Sequence, residues 1–280
     1  MQRRTFLQQS GLGLLASTLP SWVLCQSSSL KFGIQVYSVK EDMEKDPIAT
    51  LRNLAAYGYQ QIESFEGSKG IFWGMQPKEM KQLMNDLGME LIASHCNYTD
   101  HLAQKAEAAA SIGMKYLICP WIGPQKSLSD YQKIAQQFQE AGKICAKAGI
   151  RFAYHNHAYS FEAIDGQLPQ DILMKETDPA LVDFELDMYW SETAGVDTAA
   201  WLKKYSGRFR LCHIKDRSKQ GNGPNASCNL GEGKINYQNL LRVAKNNGME
   251  YFLVEQEKFD GSTPMKSAAA NARYMQQIKL

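Results

Sequence analysis

From Lys31 onward the chain alternates short apolar runs with longer amphipathic stretches. Short runs rich in aliphatic and aromatic residues predict buried strands, and apolar positions recurring at helical spacing predict helices packed against them. Phe32-Gly33-Ile34-Gln35-Val36 reads as a first strand. Asp46 then caps a helix with Pro47 in its first turn, and Gly58 ends it after Tyr57. Further strands are expected over 59–64, 89–94, 115–119, 150–154, 181–186, 209–214 and 249–254. Helices are expected between them: from Pro77 to a stop at Gly88, then over 102–112, 129–148, 169–176, 197–205 and 237–247, with a closing helix over 263–278.

Strands alternating with helices imply parallel pairing through right-handed crossovers. About eight such units in roughly 250 residues point to a single (β/α)8 TIM barrel over 29–280. An open dinucleotide-binding sheet would carry a glycine fingerprint after its first strand, and Gln35-Val36-Tyr37-Ser38 is not one.

The first residues follow a different pattern. Arg3-Arg4-Thr5-Phe6-Leu7 is a twin-arginine motif, and a mostly apolar run extends from Gly11 to Leu24. That run is short for a membrane span. It reads as an export signal of the twin-arginine type over 1–28, which predicts a periplasmic protein, with Cys25 as a possible lipid-attachment point. No later segment reads as a stable transmembrane span.

Composition narrows the partners. Net charge is +2, and no Lys/Arg stripe with interleaved aromatics exists, so nucleic acid is not an expected partner. Beyond Cys25 the cysteines are Cys96, Cys119, Cys145, Cys212 and Cys228, with no CxxC pair. Most fall in apolar runs, as small buried hydrophobes do, so neither a disulfide framework nor a thiolate zinc site is expected.

The candidate chemistry lies at the strand ends, because a barrel of this kind places its active site where the C-terminal ends of the strands emerge. Read in order, those ends offer Gln35 and Tyr37, Glu63, His95, Trp121, His155 with His157, Asp187, His213 and Glu255. Residues two apart in a strand point the same way, so His155 and His157 face one site. Two carboxylates and an imidazole, Asp187, His213 and Glu255, suit one divalent first-row ion, with His155 as fourth ligand; manganese, cobalt, zinc and iron all fit. His95 reads equally as a packed loop histidine or a substrate contact.

Four segments carry a family resemblance: Tyr154-His155-Asn156-His157, Glu185-Leu186-Asp187-Met188-Tyr189-Trp190, His213-Ile214-Lys215-Asp216 and Leu253-Val254-Glu255-Gln256. Together they resemble the xylose isomerase-like barrel superfamily, in its sugar phosphate isomerase/epimerase branch, over essentially all of 31–280. The resemblance implies a divalent metal held by a Glu, an Asp, a His and a second Glu. The last three fall on Asp187, His213 and Glu255, while the first falls on His155, a departure that adds one unit of positive charge to the site.

The resemblance implies a metal-dependent isomerase or epimerase acting on a sugar or keto-sugar through an enediolate. Glu255 would move the proton, and His157, His95 and Lys215 would relay it or contact the oxyanion. Glu63, Tyr37, Trp121 and Trp190 would bind the carbohydrate, with Trp73 and Tyr189 as further aromatics near the mouth. The loop over 219–233 is rich in Gly and Asn but is not a phosphate loop, which favours an unphosphorylated sugar. A second reading with the same chemistry is a lyase or dehydratase that acts on 3-keto-glycosides. A third, from another class, is a non-catalytic sugar-binding lipoprotein.

Overall fold

The computed structural model describes residues 30–221 and 223–280. The export segment expected over 1–28, with Arg3, Arg4 and Cys25, lies outside them. Eight parallel strands close into one barrel: β1 Gly33–Gln35, β2 Gln61–Phe65, β3 Glu90–His95, β4 Tyr116–Cys119, β5 Arg151–His155, β6 Val182–Asp187, β7 Phe209–Ile214 and β8 Tyr251–Val254. Each strand pairs with its neighbours in sequence, and β1 closes the ring against β8 through Gly33↔Leu253 and Ile34↔Val254. The fold is therefore the single (β/α)8 barrel that the alternating pattern predicts.

The long helices also fall where the pattern places them. Pro47–Tyr57 starts where the Asp46 carboxylate accepts the Ala49 N–H at 2.9 Å, and it stops at Gly58, whose φ of 99° suits a residue without Cβ. Pro77–Asp86, Leu102–Ile112, Leu128–Lys147, Pro169–Glu176, Thr198–Lys204, Tyr237–Asn246 and Pro264–Met275 follow. The short elements were not foreseen. Val36–Val39 is a 3-10 turn leading into a helix over Lys40–Lys45, and Met188–Thr193 is a helix that begins directly after β6. Two-residue strands at Asp216–Arg217 and Ser227–Cys228 pair antiparallel above β7. Their return is tied down by Asp216, whose carboxylate accepts the N–H groups of Gly231, Gly233 and Ile235. A Cβ on Gly233 would lie 2.1 Å from Asp216 Oδ1, so only glycine lets this backbone approach.

Inside the ring the period of two sets the layers. Ala93, Ala153, Leu211 and Leu253 belong to a small apolar cluster separate from the main core. Each stands two positions before a polar residue, His95, His155, His213 and Glu255, on the same side of its strand. Greasy side chains thus fill the middle of the barrel, and ionisable groups cap it at the C-terminal end. Two strands depart from regular pairing, between Ile62 and Glu63 and between Phe184 and Glu185. Among the described residues no helix is long and apolar enough to cross a membrane.

Candidate metal centre

Each polar side chain at the mouth is placed by its strand. His155 ends β5, Asp187 ends β6 and caps the following helix by accepting the Trp190 N–H at 2.9 Å, His213 lies in β7, and Glu255 follows β8. One donor atom from each of these four lies within 4.8 Å of the other three, and all four residues are buried. His155 Nε2 is 3.3 Å from Asp187 Oδ2, and His213 Nδ1 is 3.2 Å from Glu255 Oε2 and 3.9 Å from Asp187 Oδ2.

The donor set fits a divalent ion. His155 Nδ1 faces the Pro120 carbonyl at 3.3 Å; donating its proton there leaves the Nε2 lone pair free on the Asp187 side. His213 Nε2 faces Glu63 Oε2 at 2.7 Å, the carboxylate–imidazole pairing that orients a ligand histidine, and this leaves Nδ1 toward Glu255. Two nitrogens and two carboxylates at this spacing suit zinc, cobalt, manganese or iron.

Lys215 sets the charge of this group. Its fully buried Nζ sits 2.8 Å from Glu255 Oε2, 3.5 Å from Asp187 Oδ2 and 2.6 Å from Glu257 Oε1. Burial opposes charge on Asp187, but Lys215, with His155 and His213, outweighs it and holds that carboxyl at about 2. Burial likewise opposes charge on Glu255, and Lys215 and His213 keep it well below the ordinary carboxylate range. Both acids are therefore ionised and ready to coordinate. Lys215 is held well above its ordinary value by Glu255, Asp187 and Glu257, against burial.

A cavity of about 540 Å³ opens onto this group, with His95, His155, His157 and Glu255 on its lining and Tyr37, Phe65, Asn97 and Trp121 farther out. His157 Nδ1 is buried without a hydrogen-bond partner. Burial, reinforced by His155, pushes the His157 ring down to about 2, so it is neutral. Trp121 is 55% exposed and meets the His157 ring edge-on at 4.5 Å. Trp190 packs against His157 at 5.4 Å and lines a smaller cavity of about 360 Å³ with Lys215. Glu257 lines both cavities.

The structure thus brings His155, Asp187, His213, Glu255, Lys215 and His157 together, with Trp121, Trp190 and Tyr37 around them. Glu63 is placed elsewhere. It was expected at the sugar, yet its side chain is fully buried and faces His213 and His95 from beneath. The neighbouring strand and the two imidazoles explain this: β3 bulges at Ile92 opposite the step from Ile62 to Glu63, and the rings of His95 and His213 cover the carboxylate. Trp73 is also buried, edge-on to Phe65 at 4.9 Å, and the Tyr189 hydroxyl is spent on the 217–226 loop through Arg217 and the Ala226 N–H. Neither presents a face to the mouth cavity.

Two acidic groups escaped sequence reasoning. Glu257 follows Glu255 by two, the spacing that would have flagged it. Glu185 sits within what reads as the apolar run Phe184-Glu185-Leu186, yet its side chain is fully buried, 2.8 Å from His95 Nε2. Its relation to Asp187 two residues on was the available signal.

Residues 51–278 match the family described as xylose isomerase-like TIM barrel. Curated relatives include the inosose dehydratase of Clostridium perfringens, 26% identical over 164 residues that cover 53% of this chain and 54% of that protein. The chain spans about half the length of the curated relatives it matches. Among solved structures, a sugar phosphate isomerase/epimerase from Parabacteroides distasonis is 27% identical with a TM-score of 0.75, covering 90% of this chain and 95% of that one. The IOLI protein, solved with a zinc atom, shares the fold at 14% identity and a TM-score of 0.71, over 90% of this chain and 99% of its own. With the closed barrel and most of its length matched, the chain belongs to the xylose isomerase-like TIM barrel family.

Proposed function

We propose that this protein is a metal-dependent enzyme that removes a proton beside the carbonyl of a sugar or keto-sugar, as an isomerase or epimerase. The observation that carries this is the convergence of His155, Asp187, His213 and Glu255 on one point at the floor of an open cavity. A divalent ion held by these four would supply positive charge for a carbonyl oxygen of the substrate. The chain's own residues then divide the work. Lys215 keeps Asp187 and Glu255 ionised and holds Glu255 in place. His157, neutral and on the cavity lining beside Glu255, is placed to relay the proton between that carboxylate and the substrate. Glu255 and His157 are both held below their ordinary ranges, so the substrate proton that they take would have to be acidified by a bound ion. Trp121 and Tyr37, both exposed at the rim, offer faces for a sugar ring.

The second reading keeps the same proton removal and lets the resulting carbanion expel a leaving group, as a dehydratase or a 3-keto-glycoside lyase does. It is favoured by the partial matches to inosose dehydratases. Incubation of metal-loaded protein with free sugars, keto-sugars, inososes and 3-keto-glycosides in deuterated water separates the two. Deuterium in a returned or isomerised sugar supports the first, and loss of water or of an aglycone supports the second. Metal-loaded protein that exchanges no proton with any of the panel counts against both.

A further inference from the structure

Adjoining the mouth site and reaching beneath it lies a second cluster with the composition of a metal site: Glu63 from β2, His95 from β3, which also lines the mouth cavity, Glu185 from β6 and His213 from β7. One donor atom from each lies within 4.8 Å of the others. His95 Nε2 is 3.3 Å from Glu63 Oε1 and 2.8 Å from Glu185 Oε2. His213 Nε2 is 2.7 Å from Glu63 Oε2 and 3.4 Å from Glu185 Oε2. Both glutamate side chains are fully buried, and each has one oxygen, Glu63 Oε1 and Glu185 Oε1, with no hydrogen-bond partner.

Three observations point from this cluster to a cation. The first is charge. Among the described residues, the ion-pair contacts of Glu63 and Glu185 within 4.0 Å are all with imidazoles, and the nearby ammonium of Lys215 is taken by Asp187, Glu255 and Glu257. Two carboxylates closed inside a barrel with imidazoles as their only charge partners are costly to bury. The second is the backbone: the two register shifts in the barrel fall where β2 reaches Glu63 and where β6 reaches Glu185. The extra residue is Ile92 in β3 and Arg210 in β7, so each bulge shifts the strand that carries a histidine, His95 or His213, against the glutamate it faces. The third is the pair of orphaned oxygens, which a bound ion would satisfy together.

We propose that Glu63, Glu185 and His95 hold a second divalent cation beneath the mouth site, making a two-ion centre. His213 is not shared as a ligand between the ions. An imidazole bridging two cations would have to give up both ring protons, whereas His213 Nε2–H already has an acceptor in Glu63 Oε2. Glu63 thus orients His213 with one oxygen and turns the other toward the deep ion. The donors, one nitrogen and two carboxylates, suit zinc, cobalt or manganese. This goes beyond the proposed reaction, which uses the mouth site alone.

The test is stoichiometry, read with cobalt(II). Metal-free full-length protein is titrated with cobalt(II) and followed by visible absorption and by metal analysis after desalting. The parent is expected to retain two equivalents. Asp187→Asn is expected to retain one, at the deep site, and Glu185→Gln one, at the mouth. A parent that retains a single equivalent, lost in Asp187→Asn and kept in Glu185→Gln, overturns the proposal and means that a proton holds the two glutamates together. An Asp187→Asn protein that retains both equivalents counts against the mouth-site ligands while leaving the deep site standing. Should Glu185→Gln not fold by circular dichroism, anomalous difference maps of cobalt-soaked parent crystals decide: two peaks support the proposal and one at the mouth overturns it.

Discussion

At the scale of single residues, ionisable groups at the barrel mouth are sorted by their neighbours. Asp187 and Glu255 face Lys215 and stay charged; His157 faces His155 and is neutral. Asp187→Asn removes a candidate ligand and one negative charge beside Lys215. Metal retained after dialysis should fall and turnover should disappear, while far-ultraviolet circular dichroism is unchanged. The same residue gives a pH signature in metal-free protein. Its folded value of about 2 lies below the ordinary Asp value of about 3.9. Asp187 therefore contributes stability that is fully present above about 3.9 and is lost as pH falls toward 2. Thermal melts should show Asp187→Asn less stable than the parent at pH 7, with the gap closing across that acid window. His157→Ala should keep its metal and lose about 10²–10⁴-fold in kcat, the range for one acid–base group; metal lost along with activity would make His157 a ligand instead. His155→Ala separates two roles: a direct ligand costs most of the metal affinity, while a supporting group costs about 10–100-fold.

At the scale of elements, helix boundaries were legible wherever a side chain or a backbone rule marks them. Asp46-Pro47 and Gly58 bracket the first long helix as expected, because the carboxylate accepts a free N–H and glycine tolerates positive φ. Asp46→Ala should lower stability by about 1 kcal/mol in urea titrations and leave metal binding and activity at parent levels, since Asp46 touches no site residue. The short elements were illegible for the complementary reason. A six-residue helix such as Met188–Thr193 is too brief to show a period, and it exists because Asp187 caps it while ending β6. The bulges at Ile92 in β3 and Arg210 in β7 leave no mark in a pattern of apolar and polar positions. They set how β3 and β7 meet Glu63 and Glu185, and so which histidine faces which acid.

At the scale of the whole molecule, barrel closure gathers side chains up to 192 residues apart, Glu63 and Glu255, around a single imidazole. Residues 1–28 carry a further proposal, that the twin arginines direct export. Arg3→Lys with Arg4→Lys should leave the protein in the cytoplasm in fractionated cells; unchanged periplasmic delivery would rule the motif out. The sequence alone determined the strand–helix alternation, the closed barrel and the identity of the groups at its mouth, because a period of two and the cost of burying polar groups are written residue by residue. Only the tertiary structure decided which of those groups meet. It gathered His155, Asp187 and Glu255 on one side of His213 and Glu63, His95 and Glu185 on the other. It also put Lys215 between the acids of the first group and away from those of the second. Depth within a barrel follows from register, stagger and bulges between strands distant in sequence, and no single strand contains that information.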